Sequence, residues 1–108
     1  MKHPRLQDVD VYFNEQMKDP EFKRMYEIER VKVALAQKIA ELRDKQRLNQ
    51  SQLAKKMNVS QQFISQLENG HKSNVTLETL AKIARSLNMA VEISFRKLRK
   101  KGAVLRVI

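Results

Sequence analysis

The sequence predicts a mainly α-helical fold, with a short β-strand or hairpin near the C-terminus. Only two glycines and two prolines occur in 108 residues, which favours helices joined by short loops. Apolar residues recur at spacings of three and four over most of the chain, as in helices with one buried face. From Val91 to Phe95 the period changes to two, which is typical of a strand. The length suits one domain with a modest core.

The first helices are predicted to form an N-terminal helical extension, residues 1–30. A short helix is expected from Val9 to Lys18, and a longer one from Pro20 to about Gln46. Asp19 suits the N-cap of the longer helix, and proline is well tolerated in a first helical turn. Apolar residues at helical spacing predict one buried stripe along the longer helix: Ile28, Val31, Leu35, Ile39 and Leu42.

Two shorter helical patterns follow, separated by a break at residues 58–60. Asn49 is a suitable N-cap for the first pattern, with Gln52 completing a capping box. Ser60 caps the second pattern, which ends at a helix-stop signal formed by Asn69 and Gly70. The inward positions of the two helices are apolar or small: Leu53, Ala54, Met57, Phe63, Ile64 and Leu67.

These two helices match the constrained positions of a helix-turn-helix. Ala54 is small where the helices must cross closely, and Asn58 tolerates the positive φ that the turn needs. Val59 can fill the corner, while Ile64 and Leu67 hold the second helix against the first. In this motif the second helix enters the DNA major groove. The segment therefore predicts a DNA-binding unit.

The outer face of the second helix carries Gln61, Gln62, Ser65 and Gln66. Glutamine can bond bidentately to adenine N6 and N7, and a pair of this kind discriminates by about 1–3 kcal/mol. The first turn of a recognition helix makes most base contacts, which favours Gln61 and Gln62 over Gln66. The alternative is that these are ordinary polar surface residues, but the fit of the surrounding motif favours base reading.

A last helix and a strand complete the predicted elements. Thr76 caps the helix, and residues 31–90 are assigned to the DNA-binding domain, with 91–108 as a C-terminal dimerisation element. A lone strand cannot satisfy its backbone groups, so Val91, Ile93 and Phe95 need a partner. Either residues 103–108 fold back as a hairpin or the same strand of a second subunit pairs with it, and a homodimer is favoured. The inner face of the helix is expected to be Leu77, Leu80, Ile83, Ala84 and Leu87.

Composition and charge narrow the possible functions. The chain has no cysteine, and its two histidines lie far apart, so no metal site and no cofactor are expected. The sequence lacks a glycine-rich phosphate loop and a nucleophile paired with a base, so it predicts no enzyme. It also lacks a membrane-length apolar run and a signal-peptide core, which predicts a cytoplasmic protein without membrane contact.

The positive charge is unevenly distributed along the chain. The net charge is +10, of which residues 1–30 contribute −1 and residues 31–108 contribute +11. That asymmetry favours a polyanion as the partner of the C-terminal part. The basic run at residues 97–101 is either a solvated turn or a phosphate contact.

Residues 43–83 resemble the five-helix DNA-binding domain of Cro/C1-type phage repressors, the XRE family, most specifically in LNQSQLAKKMNVSQQFISQLENG. The resemblance implies that Gln50 and Asn69 contact DNA phosphates. It also implies a structural ion pair between Arg43 and Glu68. Asn58 stands where the family commonly has glycine. The residues expected at double-stranded DNA are Gln50, Ser60, Gln61, Gln62, Ser65, Gln66, Asn69, His71 and Lys72.

The segments before and after residues 43–83, which we call the flanks, extend the resemblance to a longer part of the chain. Residues 19–95 are similar to HigA-type antitoxins, which implies a toxin partner resembling RelE- or HigB-type mRNA endonucleases. Such antitoxins neutralise the toxin and, as dimers on a palindromic operator, repress their shared operon. The alternative is a stand-alone XRE-type transcriptional regulator with no toxin partner. An apolar group in the extension either packs that helix on the core or docks a partner: Phe13, Met17, Phe22, Met25 and Tyr26.

Overall fold

The computed structural model describes residues 6–70, 75–100 and 102–108. Within those ranges the chain forms five α-helices, which confirms the prediction of a mainly α fold. None of the described helices has both the length and the apolar character needed to cross a membrane. The helices are α1 (Leu6–Gln16), α2 (Pro20–Lys45), α3 (Gln50–Met57), α4 (Gln61–Glu68) and α5 (Leu77–Ser86).

The helices begin where side chains satisfy their first backbone N–H groups. The Asp19 carboxylate accepts the N–H of Glu21 at 3.0 Å at the start of α2. At α3, Asn49 Oδ1 accepts the N–H of Gln52 while Gln52 Oε1 accepts the N–H of Asn49, both at 2.8 Å. This is the capping box expected from the sequence. At α5 the hydroxyl oxygen of Thr76 accepts the N–H of Thr79 at 3.1 Å and so caps the helix.

The hydrophobic core is built by α2, α3, α4 and α5. Leu53 of α3, Ile64 of α4 and Leu87 at the end of α5 are its most buried large side chains. Full burial of a side chain of this size contributes about 1.5–3 kcal/mol. The core therefore fixes α3 and α4 relative to each other. Its members are Ile39, Leu53, Ala54, Met57, Ile64, Leu67, Ile83 and Leu87.

The extension packs on α2 through aromatic side chains. The Phe13 ring of α1 lies edge-to-face with Phe22 at 6.3 Å and with Tyr26 at 5.0 Å between ring centroids. These contacts hold α1 against the first turns of α2. Since α2 runs unbroken through residue 30, the extension and the DNA-binding part share one helix.

Two positions that were expected on buried faces are exposed. Ile28 of α2 is 46% exposed and Leu77 of α5 is 69% exposed. Along α2 the buried residues are Ala36 and Ile39, in the half that contacts the other core helices. Ile28 lies in the half that precedes them, and Leu77 is the first residue of its helix. Helical spacing identifies the apolar face of a helix, but a residue on that face is buried only where a neighbouring element covers that part of the helix.

The predicted C-terminal strand is not formed in the single chain, so this part of the fold prediction is wrong for the monomer. Residues 89–99 have no regular secondary structure, and Val91, Ile93 and Phe95 are exposed. The hairpin alternative is also not formed. Instead, the N–H of Leu105 donates to Glu27 Oε1 at 3.0 Å, which places the last residues against α2. A strand needs a ladder partner, and the described residues provide none.

Candidate nucleic-acid interface

The turn between α3 and α4 depends on a left-handed residue. Asn58 has φ 57° and ψ 45°, a conformation that costs most L-residues about 1–2 kcal/mol and that asparagine tolerates better. The N–H of Val59 then donates to the carbonyl of Ala54 at 3.0 Å. Ala54 is buried at the helix crossing. The chain thus changes direction sharply, and three residues separate the end of α3 from the start of α4.

Ser60 starts α4 as its N-cap. Its Oγ accepts the backbone N–H of Phe63 at 3.1 Å. This gives Ser60 a structural role and leaves its hydroxyl proton available to an acceptor such as a phosphate. The inner face of α4 is closed by Ile64 and Leu67, which are both buried.

The outer face of α4 carries free amide groups. Gln61, Gln62 and Gln66 are exposed, and Ser65 is half-buried. Among the described residues, none hydrogen bonds to a side chain of these three glutamines. Gln62 and Gln66 are four positions apart and therefore lie in one row, with Gln61 and Ser65 in the adjacent row. The structure brings these four sequence-predicted residues onto one solvent-facing surface.

The C-terminal end of α4 adds Asn69 to this side of the motif. Asn69 is exposed, and its Nδ2 lies 3.5 Å from the Oγ of Ser65. Gly70 follows with φ 72°, the left-handed conformation that favours glycine and ends the helix. His71 and Lys72, which were also expected at the DNA, lie outside the described residues.

A nearly buried ion pair braces α4 against α2. Arg43 Nε donates to Glu68 Oε2 at 2.7 Å, and Arg43 Nη2 donates to Glu68 Oε1 at 3.0 Å. The third guanidinium nitrogen donates to the carbonyl of Leu48 at 2.6 Å. The hydrogen bond to Glu68 raises the pKa of Arg43 above its usual range, so the guanidinium stays charged. Glu68 is the only acidic residue of α3 and α4, and this pair neutralises it.

Gln50 joins the same pair from the start of α3. Its Nε2 donates to Glu68 Oε1 at 3.2 Å. One amide proton of Gln50 is used in this bond, and the second remains for a phosphate. Spacing along the sequence did not reveal this contact, because the two residues meet only when α3 and α4 cross. Gln50 is therefore both a structural link and a candidate phosphate contact.

A helix-turn-helix family model matches residues 39–93, just over half of the chain. The chain belongs to the Cro/C1-type helix-turn-helix family. The matched range contains all of α3, α4 and α5 and the C-terminal end of α2. A protein of this family is a DNA-binding transcriptional regulator, which agrees with the exposed polar face of α4. No curated protein and no solved structure matches the chain significantly.

Proposed function

We propose that the chain is a transcriptional repressor that reads a specific operator with the outer face of α4. The observation that carries this proposal is the pair Gln61 and Gln62. Both are exposed in the first turn of α4 and have no hydrogen bond to a described side chain. The opposite face of α4 is held by Ile64 and Leu67 in the core. The amides are therefore presented on a rigid support, as base reading requires.

The chemistry of the amides suits purine edges. A glutamine side chain offers a donor and an acceptor side by side, which matches N6 and N7 of adenine in the major groove. Ser65 and Gln66 lie one turn later on the same surface and are suited to bases or sugars at the edge of the site. The expected operator therefore contains adenines opposite the first turn of α4.

Phosphate contacts would fix the position of α4 on the duplex. Gln50 starts α3 and Asn69 follows α4, so they are far apart in sequence, but the hydrogen bond from Gln50 to Glu68 brings these two ends of the motif together. Both carry amide donors, and His71 and Lys72 come after Gly70 in the sequence. Contacts of this type set the register of a protein on DNA but do not read sequence.

We also propose that the repressor is a homodimer joined through residues 91–95. Val91, Ile93 and Phe95 are exposed in the single chain, and Phe95 is 98% exposed. Pairing with the same segment of a second copy would satisfy the backbone and cover these side chains. Two-fold symmetry would then place the recognition helices about 34 Å apart and require a palindromic operator.

The finer role that we propose is that of an antitoxin. Besides the resemblance of the flanks, apolar side chains on α2 support this role, because Met25, Ile28 and Val33 are exposed and lie outside the core. Such a surface suits a protein partner. Co-expression with the adjacent reading frame is expected to yield a complex, which Met25→Glu plus Ile28→Glu weakens. A stand-alone regulator would be recovered without that product.

The base-reading proposal is tested by footprinting on the DNA upstream of the protein's own gene. Gln61→Ala plus Gln62→Ala should abolish the footprint, because each bidentate pair contributes about 1–3 kcal/mol of discrimination. The thermal unfolding midpoint should not change, since both side chains are exposed. Gln37→Ala, at an exposed glutamine of α2, is the matched control and should leave the footprint intact. An unchanged footprint in the double variant would overturn the assignment of α4.

A further inference from the structure

The C-terminal segment and α2 enclose a second polar surface, which we call the arginine groove. It has a volume of about 410 Å³. The hydrogen bond from Leu105 to Glu27 holds the C-terminal segment beside α2 at this place. The residues that line the groove are Arg30, Arg96, Arg99, Gly102, Ala103 and Arg106.

The four guanidinium groups are not neutralised by the part of the chain that the structure describes. Within the described ranges no carboxylate lines the groove, and none of the four arginines forms an ion pair there. Arg96 donates a long hydrogen bond of 3.4 Å to the backbone carbonyl of Lys97, which does not neutralise its charge. Like charges that converge without a counterion disfavour each other, and an anion in the groove relieves that repulsion.

We propose that the arginine groove binds phosphates of the DNA backbone outside the bases that α4 reads. The inference rests on the proposed function, because it assumes the same DNA ligand. Guanidinium groups match phosphate oxygens with paired hydrogen bonds and stay charged at all physiological pH values. The groove is thus a sequence-independent clamp that adds affinity and salt dependence to the readout by α4.

The lining favours a phosphate backbone over an acidic protein. Among the described residues, Gly102 and Ala103 are the other two that line the groove, and neither offers a large apolar side chain. Protein interfaces draw most of their affinity from aromatic or aliphatic anchors that fill pockets. Phosphate binding needs no such anchor, because it depends on charge and hydrogen bonds.

The position of the groove also favours the ligand of α4. Arg30 and Val33 are three residues apart on α2 and so lie on the same face, about 4.5 Å apart along the helix axis. Gly70, two residues after α4, lies beside Val33, since a Cβ built at Gly70 would be 3.7 Å from that side chain. The groove therefore neighbours the C-terminal end of the recognition helix. DNA that passes this end would therefore run toward Arg30 and the groove that Arg30 lines.

The test compares two charge-matched double variants of the full-length protein. Arg99→Gln plus Arg106→Gln removes two charges from the groove, and Lys97→Gln plus Lys100→Gln removes two charges outside it. The probe is a fluorescein-labelled random-sequence duplex, and anisotropy gives its affinity between about 50 and 200 mM salt. The arginine variant should lower the slope of log affinity against log salt by about two for each bound subunit, and the lysine variant by less than half as much.

A second comparison separates phosphate binding by the arginine groove from base reading by α4. Gln61→Ala plus Gln62→Ala should remove the preference for upstream over random DNA and keep the salt slope. The arginine variant should keep that preference and lower the salt slope. Equal slope changes in the two charge-matched variants would overturn the clamp, because they would indicate only a diffuse charge effect. An unchanged slope, together with loss of polyglutamate binding in the arginine variant, would also overturn it and indicate an acidic polypeptide. Circular dichroism confirms that each variant keeps its helices.

Discussion

Arg43 and Glu68 join the C-terminal end of α2 to the C-terminal end of α4 through two parallel hydrogen bonds of 2.7 and 3.0 Å. Their side chains are only 12% and 5% exposed. Because Gln50 donates to the same carboxylate, Glu68 connects three helices. The orientation of the recognition helix therefore depends on this small polar network as well as on the hydrophobic core.

Removal of one partner of this ion pair should destabilise the fold. Arg43→Met leaves Glu68 nearly buried without its main donor, and breaking a buried pair in this way costs about 3–5 kcal/mol. We expect a loss toward the lower end of that range, because Gln50 still donates to the carboxylate. The free energy of unfolding in urea measures the effect.

The matched control for the ion pair lies on the surface of α2. Lys45 donates to Glu41 at 3.1 Å, and both side chains are more than half exposed. Glu41→Gln should therefore leave the unfolding free energy unchanged, since exposed pairs contribute little. Arg43→Met plus Glu68→Leu should recover much of the stability that Arg43→Met loses. If Arg43→Met and Glu41→Gln had the same effect, the brace would have no structural role.

Gln50→Met should weaken binding to all DNA sequences by a similar factor. The methionine keeps the length of the side chain but has no donor for Glu68 or for a phosphate. The hydrogen bond to a charged group contributes about 1.5–3 kcal/mol to stability, so a decrease of that order in unfolding free energy is expected. Titration of upstream and random duplexes gives both affinities. A change in their ratio would contradict a phosphate contact, because phosphates carry no sequence information.

The left-handed turn makes Asn58 sensitive to the shape of its substitute. Asn58→Gly should be neutral or slightly stabilising, because glycine adopts a φ of 57° without steric cost. Asn58→Val should lower stability by about 2 kcal/mol, since a β-branched side chain disfavours this conformation. Thermal unfolding of the two variants measures the difference. An equal loss in both would point to the amide side chain instead of the backbone conformation.

The proposed dimer should depend on Phe95. Phe95→Glu places a charge in the expected interface and should raise the dimer dissociation constant at least about tenfold, because a desolvated charge costs more than 1.4 kcal/mol. Analytical ultracentrifugation over a range of concentrations measures it. Val11→Glu is the control, since Val11 of α1 is 58% exposed and lies outside the C-terminal element. Dimers that tolerate Phe95→Glu would show that another element joins the subunits.

Local signals in the sequence were sufficient for most of the motif. Asn49 with Gln52 predicted the start of α3, and Ser60 predicted the start of α4, because capping acts within four residues. Asn58 likewise predicted the turn, since its conformational tolerance is a property of the residue itself. Such features depend on neighbours along the chain and are therefore readable without the fold.

Long-range contacts were beyond reach of the same reasoning. The Gln50 amide meets Glu68 only because α3 and α4 cross, and the arginine groove exists only because the C-terminal segment lies on α2. The exposure of Ile28 was also missed, since a helical stripe does not reveal where its covering neighbours end. The missing strand at residues 91–95 has the same reason. An alternating pattern indicates a tendency to form a strand, but it does not reveal whether a partner strand is present.

The sequence by itself determined the mainly helical fold, the helix-turn-helix and the glutamines that face outward, because period, caps and turn residues act locally. Only the tertiary structure decided that Gln50 shares Glu68 with Arg43, that residues 91–95 stay unpaired in the single chain, and that four arginines converge on one groove. These features join residues far apart in the chain. Their formation depends on how helices cross and where the last segment lies, which no local pattern contains.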